Sequence, residues 1–201
     1  MKDLVLLVAD KNMHFALKGA LGRHEALEIR PIEFEFRVHA GRDGGTRRSG
    51  PEVLALERRR FKHGLMVLDF EGSGTDLADA KALELQLDAR LSAQWKHAAK
   101  TIVIEPELDV WVWGADNAVE TAIGWPTGQS IREWLRERDF AFDANGKPAR
   151  PKEALEAALR VPHFPRSSAL YQTIAERISV RRCSDEAFIR LRKQLIEWFP
   201  K

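Results

Sequence analysis

The chain has 201 residues, 44% apolar and 31% charged, with 32 Lys and Arg against 30 Asp and Glu, for a net charge of +2. That length supports one α/β domain with a small helical appendage, and the balanced charge leaves any nucleic-acid signal to local clustering. The single cysteine, Cys183, excludes an intramolecular disulfide framework and a cysteine-rich zinc site, and no apolar run approaches the roughly 20 residues that span a bilayer.

The N-terminal MKDLVLLVADK starts like a signal segment but meets Asp10 and Lys11 after too short an apolar stretch, so the cytoplasm is the expected location. Residues 4–9, LVLLVA, read as a central strand. Met13, Ala16, Leu17, Ala20 and Leu21 then recur at helical spacing over 11–21. Residues 29–38 alternate, with Ile32, Phe34, Phe36 and Val38 on one side and Glu33, Glu35 and Arg37 on the other. That pattern predicts a half-exposed edge strand, since Pro31 cannot donate to a ladder. Residues 40–50, AGRDGGTRRSG, read as a glycine-rich basic loop, with Pro51 opening a helix through about Arg60. The run 65–69 is the next strand, followed by a helix over about 76–95 with Ala80, Leu83, Leu87, Leu91 and Trp95 on one face. TIVI at 101–104 is another short buried strand, and a helix is expected from Pro106. Beyond about 115 no strand is evident. Helices are expected at 129–138, 151–160, 166–178 and 185–198, with a turn or connector at 143–148. The alternation of strands and helices predicts a mostly parallel four-stranded sheet with helices on both faces, residues 1–114, and a helical C-terminal lobe, 115–201, packed on it.

The most informative stretch is GLMVLDFEGSG, 64–74. A buried strand ending in Asp69 and Glu71 delivers two carboxylates to the sheet's carboxyl edge, where ligands bind in open α/β sheets. Two apart on a regular strand, they share a face, and paired carboxylates suit Mg²⁺ or Mn²⁺ because hard cations take oxygen ligands. Asp10, Asp69 and Glu105 each follow a separate apolar strand, and Glu107 lies two residues on. The competing reading is that such acids cap the following helices, where carboxylates meet the positive end of the dipole. Arg42, Arg47 and Arg48 suit phosphate contact through bidentate guanidinium forks; a solvated loop is the alternative. Arg58, Arg59 and Arg60 read better as a charged helix end. The six histidines lack metal-ligand spacing, although His14 lies four residues after Asp10. Neither a GxSxG elbow nor a P-loop is present. Cys183 has no base nearby in sequence and reads as a structural thiol.

A first strand entering a VxG-like turn, a strand ending in Asp-x-acid and a strand followed by ELDVW together resemble Toprim-like proteins, the metal-binding α/β domains of topoisomerases, primases and OLD-type nucleases. The chain resembles more closely a bacterial family of unknown function related to RloB. The matching pieces are VLDFEGSG (67–74), IVIEPELDVWVWG (102–114), RPKEALEAAL (150–159), SALYQTIAERI (168–178) and CSDEAFIRLRKQL (183–195). The resemblance implies a Toprim-like core, a helical C-terminal part and a place among the components of methylation-associated phage-defence systems. Toprim domains carry a catalytic glutamate directly after the first strand. Here Ala9 stands at that position and Asp10 follows one residue later, while the family's DxD becomes Asp69-Phe70-Glu71.

Two functions are therefore expected to compete. In the first, the chain is a Mg²⁺- or Mn²⁺-dependent nuclease: Asp69, Glu71 and Glu105 hold the metal, Asp10 or Glu107 serves the chemistry, and Arg42, Arg47 and Arg48 hold the nucleic-acid backbone. In the second, the altered first acid leaves a catalytically degenerate subunit that binds nucleic acid or the other subunits of a defence complex. Neither involves a membrane.

Overall fold

A computed structural model describes residues 1–114, 117–126 and 128–201. Strand β1 spans Lys2–Val8, and helix α1 spans Lys11–Leu21. A short α2, His24–Leu27, leads to β2, Phe34–Val38, and then α3, Arg42–Ala55. Next come β3, Phe61–Asp69; a 3-10 turn, Glu71–Ser73; α4, Ala80–Trp95; and β4, Ala99–Ile104. The chain ends in a second 3-10 turn, Leu108–Trp113, and helices α5 (Ala118–Ile123), α6 (Ile131–Arg136), α7 (Pro151–Arg160), α8 (Ser168–Ala175) and α9 (Glu186–Trp198).

The four strands form one all-parallel sheet in the order β2-β1-β3-β4, flanked by helices. Val8 lies beside Val67 and Leu68 beside Val103. Inner strands of such a sheet are covered on both faces, which is why β1 and β3 are continuous apolar runs and Leu4 through Val8 and Leu65 through Leu68 are buried. The strand expected over 29–38 does sit at an edge, but it spans only Phe34–Val38, so Pro31 lies outside it, and its residues are all partly or fully exposed rather than alternating. β3 begins at Phe61, four residues before its apolar run, because Lys2 and Leu4 of β1 still pair with Phe61 and His63.

The other edge, β4, is sealed by side chains. Glu84 and Asp88, four apart and so on one side of α4, accept hydrogen bonds from Val103 N at 2.8 Å and Thr101 N at 2.7 Å. They occupy the donors that a fifth strand would use, which removes an exposed template for edge pairing. Glu84 is buried, and Arg190 of α9 donates to it at 2.9 Å.

The segment 40–50 is not a loop, and Pro51 does not open a helix: residues 42–55, with Pro51 among them, form α3. The glycines let the helix press onto the sheet. A Cβ on Gly50 would stand 2.5 Å from Met66 Sδ. Proline cannot donate to the carbonyl four residues back, so Pro51 frees the Arg47 carbonyl. Arg90 of α4 takes the place of that donor, reaching Arg47 O at 2.8 Å and Arg48 O at 2.6 Å. After Pro106 the expected helix is a 3-10 turn that begins at Leu108.

The C-terminal helices share one apolar core with the sheet, running from Leu4 to Phe199. α8 lies so close on α1 that a Cβ on Gly19 would stand 2.7 Å from Gln172 O. The 143–148 turn closes on itself, with Phe142 bridging Pro148 and the Asp143 carboxylate accepting from Asn145 N and Lys147 N. No helix among the described residues is long and apolar enough to cross a membrane.

Candidate functional site

The strand order fixes where a ligand is best received. From β1 the chain steps one way to β2, then returns to the other side of β1 to lay down β3. The direction of winding reverses between β1 and β3, and at such a switch point the connections leave in opposite directions and open a crevice beyond the strands' carboxyl ends. Asp10 follows β1 and Asp69 ends β3, so both stand at this point.

Each acid arrives by a local rule. Asp10 is the N-cap of α1 and accepts from Met13 N at 2.9 Å. Asp43, in the first turn of α3, accepts from the backbone N–H of Asp69 at 2.8 Å, tying the helix start to the end of β3. Its second oxygen lies against the 3-10 turn, where a Cβ on Gly72 would come within 2.6 Å of Asp43 Oδ2; glycine at 72 makes the approach possible. The pairing of β3 with β4 continues past the strands: Phe70 N donates to Ile104 O at 2.8 Å, and Glu71 N to Pro106 O at 3.1 Å. That splice sets Glu71 beside Glu107.

Asp69 is half-buried, but its Oδ1 is enclosed with no hydrogen-bond partner. Loss of solvent drives its pKa well above the usual carboxylate range, and the neighbouring charges of Asp43, Asp10, Glu107 and Asp109 push it further. Asp43 is raised as well, chiefly by burial, with Asp10 adding repulsion. Glu107 is pushed up to about 7 by burial, then by Asp109 and Glu71, while Lys152, with Nζ 3.9 Å from Glu107 Oε2, opposes the rise. Asp109 is buried, which raises its pKa, and is held from behind: Arg166 Nη2 donates to both its oxygens at 3.0 Å, and the Tyr171 hydroxyl donates to Oδ1 at 2.8 Å.

Of the residues expected from sequence, Asp10 and Glu107 both lie near enough for their charges to raise the pKa of Asp69. Glu71 is exposed on the 3-10 turn and adds its charge at Glu107. Glu105 is engaged elsewhere. Its carboxylate accepts from Ala80 N at 3.2 Å and caps α4, facing a separate cleft. The three arginines belong to α3, not to a loop. Arg47 is tied down, its Nε donating to Ser73 O at 2.8 Å, whereas Arg42 and Arg48 are exposed. The Arg48 guanidinium folds over Gly44, 3.3 Å from where a Cβ would stand, and the Gly72 and Ser73 carbonyls lie 3.7 Å from the same point. His14 packs against Phe36, with ring centroids 4.2 Å apart, and burial lowers its pKa. Cys183 is partly buried, and burial pushes its thiol up.

Two features are not visible from sequence. Asp43 is hidden in a segment whose arginines and glycines dominate, although an acid next to a helix start is a recognisable signal. The Asp109–Arg166–Tyr171 network joins residues far apart in the chain, and no local pattern announces it.

Comparison with protein-family models, curated proteins and solved structures returns no match.

The donor set is all carboxylate, the chemistry a hard divalent cation requires. Asp10 and Asp43 each spend one oxygen on a backbone N–H, and the second oxygen of Asp43 lies against the 3-10 turn. Among the described residues, however, no three His, Cys, Asp or Glu side chains stand close enough together to hold one ion. A complete coordination shell therefore requires side-chain movement, water or a substrate oxygen.

Proposed function

We propose that the carboxyl edge between β1 and β3 binds Mg²⁺ or Mn²⁺ and that the chain is a metal-dependent nuclease acting in bacterial antiphage defence. The observation that carries this reading is the Asp69 carboxyl: an enclosed, unpartnered oxygen among four other carboxyl groups at the switch point of the sheet. Such a grouping of ionised carboxylates opposes folding unless a proton or a cation compensates it. The defence setting rests on the Toprim-like, RloB-related resemblance of the sequence.

Asp69, Asp43 and Asp10 are the ligands this edge offers, with Glu71 on the rim; Glu105 is committed to α4. A bound divalent ion supplies charge compensation at the phosphodiester and a more acidic water. Glu107, at about 7, is half-protonated near neutrality, the condition in which a carboxyl both accepts and returns a proton. In this reading Glu107 takes the proton of the attacking water. Lys152 beside it offers a cation to a phosphate oxygen. Arg42 and Arg48, exposed on the first turns of α3, are the residues available to the nucleic-acid backbone, as Arg47 is occupied within the fold.

A second reading has its own support. Ala9 is buried where Toprim domains carry their glutamate, and among the described residues the carboxylates do not converge on one point. In that reading the chain is a degenerate subunit that binds nucleic acid or partner proteins.

One experiment separates them. Thermal unfolding is followed with and without Mg²⁺ or Mn²⁺ for the native chain and Asp69→Asn, and both are incubated with single- and double-stranded DNA and RNA. Metal stabilisation that Asp69→Asn abolishes, together with metal-dependent cleavage, supports the nuclease. Stabilisation without cleavage supports the degenerate subunit. Absence of any metal-dependent shift overturns the metal site.

A further inference from the structure

On the outer side of α9 lies an open groove of about 380 Å³. Val180, Phe188, Ile189 and Ile196 form its apolar floor. Ile189 is 50% exposed, one of the few large apolar side chains left in water. The rim is net basic: Lys193 and Arg181 are exposed beside it, Arg181 with Nη2 3.4 Å from Glu28 Oε1, so one acid, Glu28, stands among the three cations. Arg192 lines the same groove and is ion-paired through Nη2 with Glu28, yet its Nε is enclosed without a hydrogen-bond partner. A buried donor left unmade costs about 1–3 kcal/mol. No groove residue belongs to the acidic edge, so the two sites stand or fall separately.

We propose that this groove docks an acidic amphipathic helix of a partner protein. An apolar floor along one helix calls for a ligand with apolar residues at i, i+3 or i+4 and i+7, the helix-in-groove mode. α9, at 13 residues, is about 20 Å long, enough to contact three turns. The cationic rim selects carboxylates on the flanks of the incoming helix. A second copy of the chain is a poor occupant, because the same basic rim would face itself. Single-stranded nucleic acid fits less well too: it favours exposed aromatic platforms for its bases, whereas Phe188 is buried and the exposed apolar side chain here is the aliphatic Ile189.

The test uses the full chain and a fluorescein-labelled synthetic helical peptide with leucines at i, i+3, i+4 and i+7 and glutamates on its flanks. The controls are a scrambled peptide of identical composition and a labelled oligothymidylate, read by fluorescence anisotropy. The expected result is saturable binding of the patterned peptide, weakened about tenfold or more by Ile189→Asp and by Arg181→Glu with Lys193→Glu. A lysine-flanked peptide should recover binding to the charge-reversed variant. These residues are exposed, and circular dichroism checks that each variant is folded. Equal binding of the scrambled peptide, indifference to Ile189→Asp, no peptide binding, or tighter binding of the oligonucleotide overturns the proposal. None of these outcomes alters the metal test on Asp69.

Discussion

Replacing Glu107 by glutamine should stabilise the metal-free protein at alkaline pH and leave it unchanged in acid. A carboxyl raised in the folded state binds its proton more tightly there than in the unfolded chain. It therefore costs stability once pH exceeds the unfolded value, and the full cost is reached as pH passes the folded value. For Glu107 that window runs from an ordinary 4.5 to about 7. At ~1.4 kcal/mol per pH unit the span corresponds to about 3 kcal/mol. The carboxyl is 16% exposed and Lys152 stands 3.9 Å away, so screening reduces the usable effect to about 1–3 kcal/mol. Glutamine keeps the shape and removes the charge. Urea denaturation of both proteins at pH 4.5, 6 and 8, with chelator present, measures the difference. It should be near zero at pH 4.5 and grow through pH 6 to its full value at pH 8. A constant difference across pH, or a variant less stable at pH 8, would refute the electrostatic account of this edge.

Four further outcomes follow from the same contacts. Asp69→Asn should raise the melting temperature of the metal-free protein above about pH 5 by removing a desolvated, repelled carboxyl, and should lose the metal-induced rise, worth about 2.7 kcal/mol in the parent at a hundredfold excess over Kd; differential scanning fluorimetry reads both. Arg42→Ala with Arg48→Ala should weaken oligonucleotide binding and lower the slope of log affinity against log salt by about 1–2 at unchanged stability, whereas Arg47→Ala should lower stability, because its Nε holds Ser73 O. Gly50→Ala should cost about 1–3 kcal/mol in urea, since its Cβ meets Met66 Sδ. Glu84→Ala should cost about 2–4 kcal/mol by leaving Val103 N and Arg190 unanswered, and should promote self-association through the uncovered β4 edge, visible by light scattering.

The inner strands were legible because a parallel sheet buries both faces, so β1 and the core of β3 are written as unbroken apolar runs. The helices after residue 129 were legible from their periodicity, and α7 starts at the proline that marks it, Pro151. α3 was not legible. Its glycines, serine and proline disfavour helix in isolation, and what makes it helical is tertiary: the glycines remove the bulk between helix and sheet, and Arg90, far along the chain, satisfies the carbonyls around Pro51. The first residues of β3 escaped for a related reason. Lys62 and His63 interrupt the apolar pattern, yet Lys62 pairs with Asp3 at 3.1 Å, and the His63 ring stacks on Trp198 at 4.6 Å.

The site raises the sharper point. Reading an acid after a strand as either a helix cap or a ligand is a false choice for Asp10. The cap uses one oxygen, stabilises the fold by about 1 kcal/mol, and leaves the second oxygen at the switch point. Asp43 spends both oxygens within the fold, one on Asp69 N and the other against the 3-10 turn. Asp69 is different. Its Oδ1 accepts no hydrogen bond, and the charges of Asp43, Asp10, Glu107 and Asp109 all oppose its ionisation. A leucine or asparagine there would fold at lower cost. Residues that oppose the stability of the fold while standing at its ligand-receiving edge are where sequences break local rules for function. Asp69, rather than the better-partnered acids around it, is therefore the residue on which the functional reading turns.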